Sequence, residues 1–324
     1  MKLRELIVRF LRSLTSYGAC PDKSDYFDKA SRNPYEENAR NKSAFNGVPS
    51  GFMALDRVAM GWQPSDLIII AARPSMGKTA FALSMTRNIT IDYNKPVGYF
   101  SLEMSAQQLK MRLLAAESGL NFRNLCNGQL TPDQRKHLET SPLTNAPLFI
   151  DDTPALSITE FRSKVEKLTT QHDIQLIVID YLQLMNLGCH DNKRNREQEI
   201  AVILCSLKAV AKEFDLPIIV LSMVSRSCSS ANKRPQLSDL DYLKAIDIEQ
   251  NVDLVIFIHR PEYYGITVDE NGMATAGVAE LIIAKHRNGA VTDIKLRYLK
   301  DLMSFTEIDG TDQLPDGCTA TTLV

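Results

Sequence analysis

The sequence predicts a doubly wound α/β fold with a mostly parallel sheet, and three observations support this prediction. Short apolar runs alternate with helix-period segments from Gly47 to about Ile308. These runs lack polar alternation, which is typical of parallel strands that are buried on both faces of a sheet. Right-handed crossovers between such strands place helices on both sides of the sheet. Closely spaced runs at the end of this region indicate an antiparallel extension.

Six apolar runs are predicted to form the parallel part of the sheet. They lie at residues 67–72, 97–101, 148–150, 176–180, 217–222 and 253–259. Further strands are expected near residues 279–285, 292–298 and 304–308. The pair Asn288-Gly289 connects the first two of these, and an Asn-Gly pair favours a tight turn between antiparallel strands.

The two ends of the chain are predicted to differ from this core. Apolar side chains recur at helical spacing within residues 1–16 and form one stripe between Lys, Arg and Glu. Residues 20–46 are polar and contain Pro21 and Pro34, which indicates a linker. We therefore expect an amphipathic helix with a polar linker (1–45), an α/β domain (46–309) and a disordered tail (310–324).

Composition limits the class of protein. The 324 residues are 44% hydrophobic and 23% charged, which is typical of a soluble globular protein with an ample core. The net charge of −2 indicates neither a nucleic-acid partner nor a membrane partner, although a local basic groove is compatible with it. No apolar run approaches the roughly 20 residues of a membrane span. Charges within the first apolar stretch argue against a signal peptide, and the six cysteines form no CxxC pair. We expect a cytoplasmic protein that has reduced thiols and no membrane partner.

The strongest chemical motif follows the first predicted strand. The stretch LIIIAARPSMGKTA (67–80) ends in Gly77-Lys78-Thr79, between an apolar strand and a helix-compatible run at 80–91. In a phosphate-binding loop, backbone N–H groups and a helix N-terminus point at phosphate oxygens. Gly77 permits close approach of the backbone, Lys78 brings charge to the β- and γ-phosphates, and the Thr79 hydroxyl ligates magnesium.

Ala72 stands where this motif usually has its first glycine. The first glycine only begins the turn, and alanine is small enough to do so. A chance Gly-Lys-Thr in a surface turn is the alternative, which the flanking strand and helix disfavour. We predict a nucleotide site formed by Ala72, Arg73, Pro74, Ser75, Met76, Gly77, Lys78 and Thr79.

Two carboxylates follow predicted strands and are candidates for the chemistry of hydrolysis. Asp180 directly follows four apolar residues and is expected to complete the shell of a metal ion. Glu103 follows the second strand, where it could orient or deprotonate water. Ser105 and Gln108 form a capping-box pattern, which leaves Glu103 without a capping role. The carboxyl ends of parallel strands meet at one edge. On position alone, a loop-capping aspartate and a surface glutamate remain alternatives.

Nine stretches, which include the phosphate loop and both carboxylates, resemble the bacterial replicative DNA helicases of the DnaB type. They are GVPSGFMALDR, GWQPSDLIIIAARPSMGKTAFALSM, FSLEMS, FIDDTPALSI, LIVIDYLQLM, SLKAVAKE, KRPQLSDL, IEQNVDLVIFIHRPEYYGI and AELIIAKHRNG. The resemblance covers roughly residues 44–308 and is highly specific. It implies a RecA-like fold and a hexameric ring with ATP between subunits. It also implies translocation on single-stranded DNA with strand separation at replication forks.

The resemblance implies a role for each matching residue. Lys78 and Thr79 become the phosphate and magnesium residues, Glu103 becomes the catalytic base, and Asp180 becomes the metal carboxylate. ATP and Mg²⁺ are the implied cofactors. The implied partners are single-stranded DNA, further copies of the chain in a ring, primase and a helicase loader. The implied polarity is 5′–3′.

The resemblance also implies that Lys285 and Arg287, in AKHRNG, reach the γ-phosphate of the neighbouring subunit as a basic piston and an arginine finger. A planar guanidinium is suited to charge that develops on phosphoryl oxygens. The residues alone indicate only that Lys285 and Arg287, two apart on a strand, share a face. A solvated strand edge is then an equal alternative.

The chain departs from the family pattern at four places. The family carries a large helical N-terminal domain, whereas about 45 residues precede the motor region here. The helix at 1–16 either replaces the family's linker helix, which docks on the adjacent subunit, or packs on its own domain. Met223 stands where relatives carry a glutamine that senses the γ-phosphate, and a thioether lacks the paired donor and acceptor of an amide. The segment AVILC, which precedes SLKAVAKEF, is less polar than expected.

The fourth departure lies in a segment expected to contact DNA. The loop DYLKAID (241–247) replaces a family segment, Arg-Glu-Ser-Gly, whose arginine and glycine touch DNA phosphates. Lys244 is the only basic residue in that loop. The stretch DNKRNREQE (191–199) keeps three basic residues and is expected to form a loop that faces DNA, although such charge runs are often simply solvated.

The departures leave two interpretations of function. In the first, the chain is an ATP-dependent replicative helicase. In the second, it is a RecA-like ATPase paralogue that does not unwind DNA but assembles with, loads or regulates a replication protein. A recombinase-like ATPase on the same fold has no support beyond the shared motifs.

Overall fold

The part of the chain that the computed structural model describes contains the whole predicted sheet. The described residues are 47–126, 131–139, 141–188, 195–224, 234–240, 248, 250–269 and 272–308. The predicted helix at 1–16, the linker, the loop at 241–247 and the tail at 310–324 lie outside them.

The described residues form one nine-stranded sheet. The strands in chain order are β1 (Leu67–Ala72), β2 (Val97–Ser101), β3 (Leu148–Asp151), β4 (Leu176–Asp180), β5 (Ile218–Met223), β6 (Leu254–His259), β7 (Val278–His286), β8 (Asp293–Leu299) and β9 (Ser304–Thr306). Their order across the sheet is β3-β2-β4-β5-β1-β6-β7-β8-β9. The pairs among β1 to β6 are parallel, and β6 to β9 pair in antiparallel fashion. This arrangement confirms the predicted fold class.

Helices precede and connect the parallel strands. They are α1 (Met53–Ala59), α2 (Lys78–Arg87), α3 (Ala106–Ser118), α4 (Phe122–Cys126), α5 (Pro132–Glu139), α6 (Ile158–His172) and α7 (Arg196–Phe214). A π-helical turn at Asn88–Asp92 extends α2, and short 3₁₀ helices lie at Pro142–Asn145, Leu182–Leu184, Leu237–Asp239 and Pro261–Tyr264. Within the described residues, no helix combines the length and apolar character that a bilayer crossing needs.

Local sequence explains where these helices begin. Ser105 and Gln108 form a reciprocal capping box at the start of α3, as the sequence predicted. Asn195 caps α7 through its side chain, and Glu197 and Glu199 lie in the first turn, where acidic residues are favoured by the helix dipole. The prediction of a loop over 191–199 is therefore wrong for its last residues, since α7 begins at Arg196.

The core fixes the helix that follows the phosphate loop. Strand β1 is buried at every position. The Phe81 ring on α2 stacks on Phe52 and meets the edge of Phe305 on β9, with ring centroids 5.3 and 5.6 Å away. Burying each such side chain stabilises the fold by about 1.5–3 kcal/mol. The start of α2 is thereby packed between Phe52, which precedes α1, and the last strand of the sheet.

Candidate nucleotide-binding site

The phosphate-loop residues join the buried strand β1 to helix α2. Ala72 is the last residue of β1 and pairs with Met223 of β5, so it is extended and needs no glycine. Gly77 adopts φ 94°, a left-handed conformation that favours glycine. A Cβ on Gly77 would lie 3.1 Å from the ring of Phe305. Two separate features, the backbone conformation and the nearby ring, therefore require glycine at position 77.

Lys78 is the first residue of α2, and the charges of two carboxylates, Asp180 and Glu103, act on its ammonium group. Its ammonium group lies 4.3 Å from the centroid of the Tyr181 ring. Burial lowers the pKa of Lys78, while the charges of Asp180 and Glu103 act to raise it. The structure thus brings together three residues that the sequence placed after three different strands or loops.

Asp180 ends β4 as a buried carboxylate with one unsatisfied oxygen. Its Oδ2 accepts hydrogen bonds from the Thr79 hydroxyl at 2.8 Å and from the Tyr99 hydroxyl at 3.2 Å. Burial, and next the charge of Asp180, raise the pKa of Tyr99, which keeps this phenol protonated. The Asp180 Oδ1 is buried and has no hydrogen-bond partner in the described part of the chain.

An unsatisfied buried oxygen beside a hydroxyl fits a magnesium site. Buried polar atoms are almost always paired, so the lone Oδ1 of Asp180 requires an explanation such as an ion. Magnesium takes oxygen ligands and is usually bound through one or two carboxylates and substrate phosphates. Thr79 and Asp180 supply that donor chemistry next to the phosphate loop.

Glu103 lies in the turn between β2 and α3, at the same edge of the sheet. The backbone N–H of the preceding residue, Leu102, donates to the Asp180 carbonyl at 2.7 Å, which ties this turn to β4. The Glu103 side chain is exposed, and the reciprocal bonds at the start of α3 belong to Ser105 and Gln108. Glu103 therefore faces solvent near Lys78 and has no capping role.

Lys285 and Arg287 lie at the opposite, amino-terminal edge of the parallel strands. Lys285 pairs with Val255 near the start of β6, and the Arg287 N–H donates to the Asp253 carbonyl at 2.8 Å. Strand β1 has six residues, so its two ends lie roughly 17 Å apart at about 3.3 Å per residue. The structure does not bring these two side chains to the phosphate loop of their own chain.

Arg260 was missed by the sequence reasoning, although it lies beside the loop. Its guanidinium carbon lies 3.8 Å from the centroid of the Tyr298 ring, and its NH1 donates to the Ser75 carbonyl at 3.5 Å. Arg260 and Tyr298 line a cavity of about 1070 Å³ together with Phe122 and Tyr263. Arg260 directly follows an apolar strand, the signal that identified Asp180, so this signal could have identified it.

Gln183 was also missed, and it contacts the residue that departs from the family pattern. Its amide nitrogen donates to the Ser222 hydroxyl at 3.0 Å, and its Oε1 accepts from the Met223 N–H at 3.4 Å. Arg196 at the start of α7 donates to the Gln183 carbonyl at 2.8 Å. No pattern at the level of sequence distinguishes Gln183, because these contacts depend on the pairing of β4 with β5.

Comparison with known proteins identifies relatives over the whole α/β domain. The DnaB-like helicase C terminal domain family matches residues 47–307. The replicative DNA helicase DnaB of Geobacillus stearothermophilus is 44% identical over 266 residues, which are 81% of this chain and 57% of that protein. The replicative DNA helicase DnaC of Bacillus subtilis (strain 168) is 39% identical over 277 residues, 85% of this chain and 59% of that protein. The chain thus spans less than two thirds of the length of these relatives.

Solved structures share the fold. A DnaB-like replicative helicase, described with its interactions with primase, matches with a TM-score of 0.77 and 28% identity over 95% of this chain and 75% of that one. A second solved structure, of an ATPase domain, matches with a TM-score of 0.77 and 30% identity over 90% of this chain and 100% of that one. The family match, the identities and the shared fold agree with the resemblance seen in the sequence. The chain belongs to the DnaB-like helicase C-terminal domain family.

Proposed function

We propose that this chain is the motor of an ATP-dependent replicative helicase, which hydrolyses ATP at the carboxyl edge of its sheet and moves along single-stranded DNA. The observation that carries the proposal is the convergence of Lys78, Thr79, Asp180 and Glu103 at that edge. A phosphate loop, a buried metal carboxylate and an exposed glutamate are the parts that hydrolysis of a nucleoside triphosphate needs.

Each residue has a distinct role in this mechanism. The N–H groups at the start of α2 and the Lys78 ammonium bind the β- and γ-phosphates. Thr79 and Asp180 would hold Mg²⁺, which neutralises charge on the phosphate oxygens when it is bound. Glu103 is exposed at the same edge and orients or deprotonates the attacking water. Burial lowers the pKa of Lys78, and a bound phosphate would oppose this shift by favouring the charged ammonium.

The nucleoside part of ATP is proposed to bind in the cavity beside the loop. Arg260 and Tyr298 line this cavity and already stack on each other, with the guanidinium bonded to the loop at Ser75. A ring face and a planar guanidinium both suit a purine base.

The active site is proposed to be completed by a second copy of the chain. Arg287 and Lys285 lie at the edge opposite to their own phosphate loop, so a neighbouring chain is the one that they could serve. A head-to-tail arrangement of this kind forms a ring when the rotation between successive chains closes. We propose a homo-oligomeric ring, a hexamer by family resemblance, with Arg287 as arginine finger and Lys285 as piston.

Single-stranded DNA in the central channel is the proposed substrate of the movement, with 5′–3′ polarity. Neutralisation of DNA phosphates would supply most of the affinity, so binding should weaken steeply with salt. Primase and a helicase loader are the proposed protein partners, and a DnaB-like relative of known structure is described with its interactions with primase. The proposed location is the cytoplasm.

A second candidate function is favoured by Met223. This residue ends β5 beside Ala72 of the phosphate loop, where its thioether cannot exchange hydrogen bonds with a phosphate. The chain would then hydrolyse ATP while it assembles with, loads or regulates a replication protein, without unwinding DNA.

The test is the rate of ATP hydrolysis with and without single-stranded DNA, followed by a strand-separation assay. Turnover that DNA stimulates, together with unwinding, supports the helicase; turnover that is indifferent to DNA supports the second candidate. Lys78→Ala is the matched control, because the lysine serves phosphates and not the core. A folded Lys78→Ala variant that keeps its turnover would remove the phosphate-loop assignment.

A further inference from the structure

The amino-terminal edge of the sheet holds a buried carboxylate that the mechanism above does not use. Asp253 immediately precedes β6 and is 3% exposed. Its Oδ2 accepts from the N–H of Leu67 at 2.9 Å and from the ammonium of Lys208 at 2.5 Å. Its Oδ1 lies 2.8 Å from NH1 of Arg287. A buried charge is retained only when it is paired and hydrogen-bonded, and Asp253 meets both conditions.

Arg287 is anchored through several contacts, of which the ion pair with this carboxylate is one. In addition to the ion pair, NH2 of Arg287 donates to the Gln250 carbonyl at 3.0 Å, and the Arg287 N–H donates to the Asp253 carbonyl at 2.8 Å. The side chain nevertheless remains 40% exposed. The guanidinium is therefore fixed in position and orientation while it is still accessible from outside the chain.

The same carboxylate is bonded to the strand that leads to the phosphate loop. Leu67, whose N–H it accepts, is the first residue of β1, and Ala72 at the other end begins the loop residues. Lys208 joins α7 to this cluster and also donates to the Ser65 carbonyl at 2.8 Å. Because β1 is buried along its whole length, the bond from Leu67 fixes Asp253, and through it Arg287, relative to the phosphate loop of its own chain.

We propose that Asp253 is a positioning residue, which holds Arg287 in the orientation that the neighbouring chain's ATP requires. The inference rests on the proposed function, since it assumes that Arg287 acts on the next chain. Asp253 touches neither nucleotide nor metal in this scheme, and it acts only through Arg287. Loss of its charge should therefore impair the neighbour's site and leave the chain's own site intact.

The test uses mixtures of variant chains, because they separate the two sites to which one chain contributes. Asp253→Asn keeps the size of the side chain and removes its charge. In a ring of identical variant chains, ATP turnover should fall about 10²-fold, the loss expected when a catalytic group is misplaced by roughly 1 Å. Nucleotide binding to the variant should be unchanged, since its phosphate loop is intact.

The pattern of recovery in mixed rings identifies which site is damaged. Asp253→Asn mixed with Glu103→Gln should regain turnover, because some interfaces combine an intact glutamate with an intact, positioned arginine. Asp253→Asn mixed with Arg287→Ala should not, because no interface has a positioned arginine. The reverse pattern would overturn the inference, since it would mean that Asp253 supports its own phosphate loop through β1. Full turnover by Asp253→Asn alone would also overturn it.

Two further variants keep the test decisive. Lys208→Met is the matched control, because it removes the other cation bonded to Asp253 and leaves the pair with Arg287. Chains with Lys208→Met should still supply a positioned arginine, so they should complement Arg287→Ala chains in mixed rings that hydrolyse ATP. Asp253→Glu retains the charge and serves if Asp253→Asn does not fold; it should show the same recovery pattern with a smaller loss. Failure of Lys208→Met to complement, in folded chains, would indicate general damage to this edge and contradict the inference.

A reference mixture separates failure of the inference from failure of the proposed function. Glu103→Gln mixed with Arg287→Ala involves no change at Asp253. If turnover recovers in this mixture but not in the mixture of Asp253→Asn with Glu103→Gln, only the role of Asp253 is overturned. No recovery in the reference mixture would remove the action of Arg287 on its neighbour, and the role of Asp253 with it.

Discussion

Replacement of Gly77 by alanine tests whether the loop geometry serves a phosphate or only the fold. At φ 94° an alanine is strained, which costs roughly 1–2 kcal/mol of stability. Its Cβ would lie 3.1 Å from the Phe305 ring, so the ring or the loop must also shift by a few tenths of an ångström. Lys78 follows directly, and such a shift would weaken nucleotide binding by about tenfold, or 1.4 kcal/mol.

Gly119→Ala is the matched control for this change. Gly119 ends α3 at φ 68°, and a Cβ there would meet no atom within 4 Å. We expect urea unfolding to show a similar loss of about 1–2 kcal/mol for both variants, whereas a fluorescent ATP analogue should bind more weakly only to Gly77→Ala. Equal affinity of the two variants for the analogue would refute the assignment of this loop to phosphate.

Three other predictions concern the glutamate, a buried histidine and the altered sensor. Glu103→Gln should bind ATP normally by calorimetry and hydrolyse it about 10²–10⁴-fold more slowly; lost binding would instead indicate a structural glutamate. Burial, and next the charges of Arg234 and Arg73, lower the pKa of His259 to about 4. As pH falls from about 6.5 to 4, the His259 imidazole is therefore protonated in the unfolded chain before it is protonated in the folded chain. The folded state loses stability over that window. Over this pH range, the free energy of unfolding in urea should fall by about 2–3 kcal/mol more in the wild type than in His259→Gln. The same pH dependence in both proteins would contradict the prediction. Comparison with the variant matters because burial raises the pKa of Asp66 to about 6, which acts in the opposite direction. Met223→Gln combined with an Arg-Glu-Ser-Gly segment in place of 241–247 should raise stimulation of the ATPase by DNA more than either change alone. Strong stimulation of the unmodified chain would remove the reason for this prediction.

The strands were predictable because their signal is local. A parallel strand buried on both faces is apolar at each position, and the run at 67–72 became β1 with the same bounds. Asp180 and Glu103 were identifiable because a carboxylate that follows such a run must emerge at the edge of the sheet where ligands bind. The helix start at Arg196 was predictable in principle from Asn195 and the acidic residues after it, but the basic charges drew the interpretation towards a loop.

The contacts that were missed depend on which strands become neighbours. Arg260 contacts Tyr298 because β6, β7 and β8 pair in order. The local sequence around either residue does not predict this contact. The pairing of Arg287 with Asp253 likewise depends on the antiparallel register between β6 and β7. Sequence periodicity sets which face is buried, whereas register and strand order are set by packing of the whole sheet.

The most direct test of the central claim, that each ATP site draws groups from two chains, is a mixture of Glu103→Gln and Arg287→Ala chains. Each variant alone should be nearly inactive. In a head-to-tail ring assembled at random from equal amounts, about one quarter of the interfaces combine both wild-type groups, so ATP turnover should partly recover. Mixed assembly can be shown directly by native mass spectrometry. Mixed rings without recovered turnover would contradict the claim and would mean that Arg287 serves its own chain or takes no part in hydrolysis.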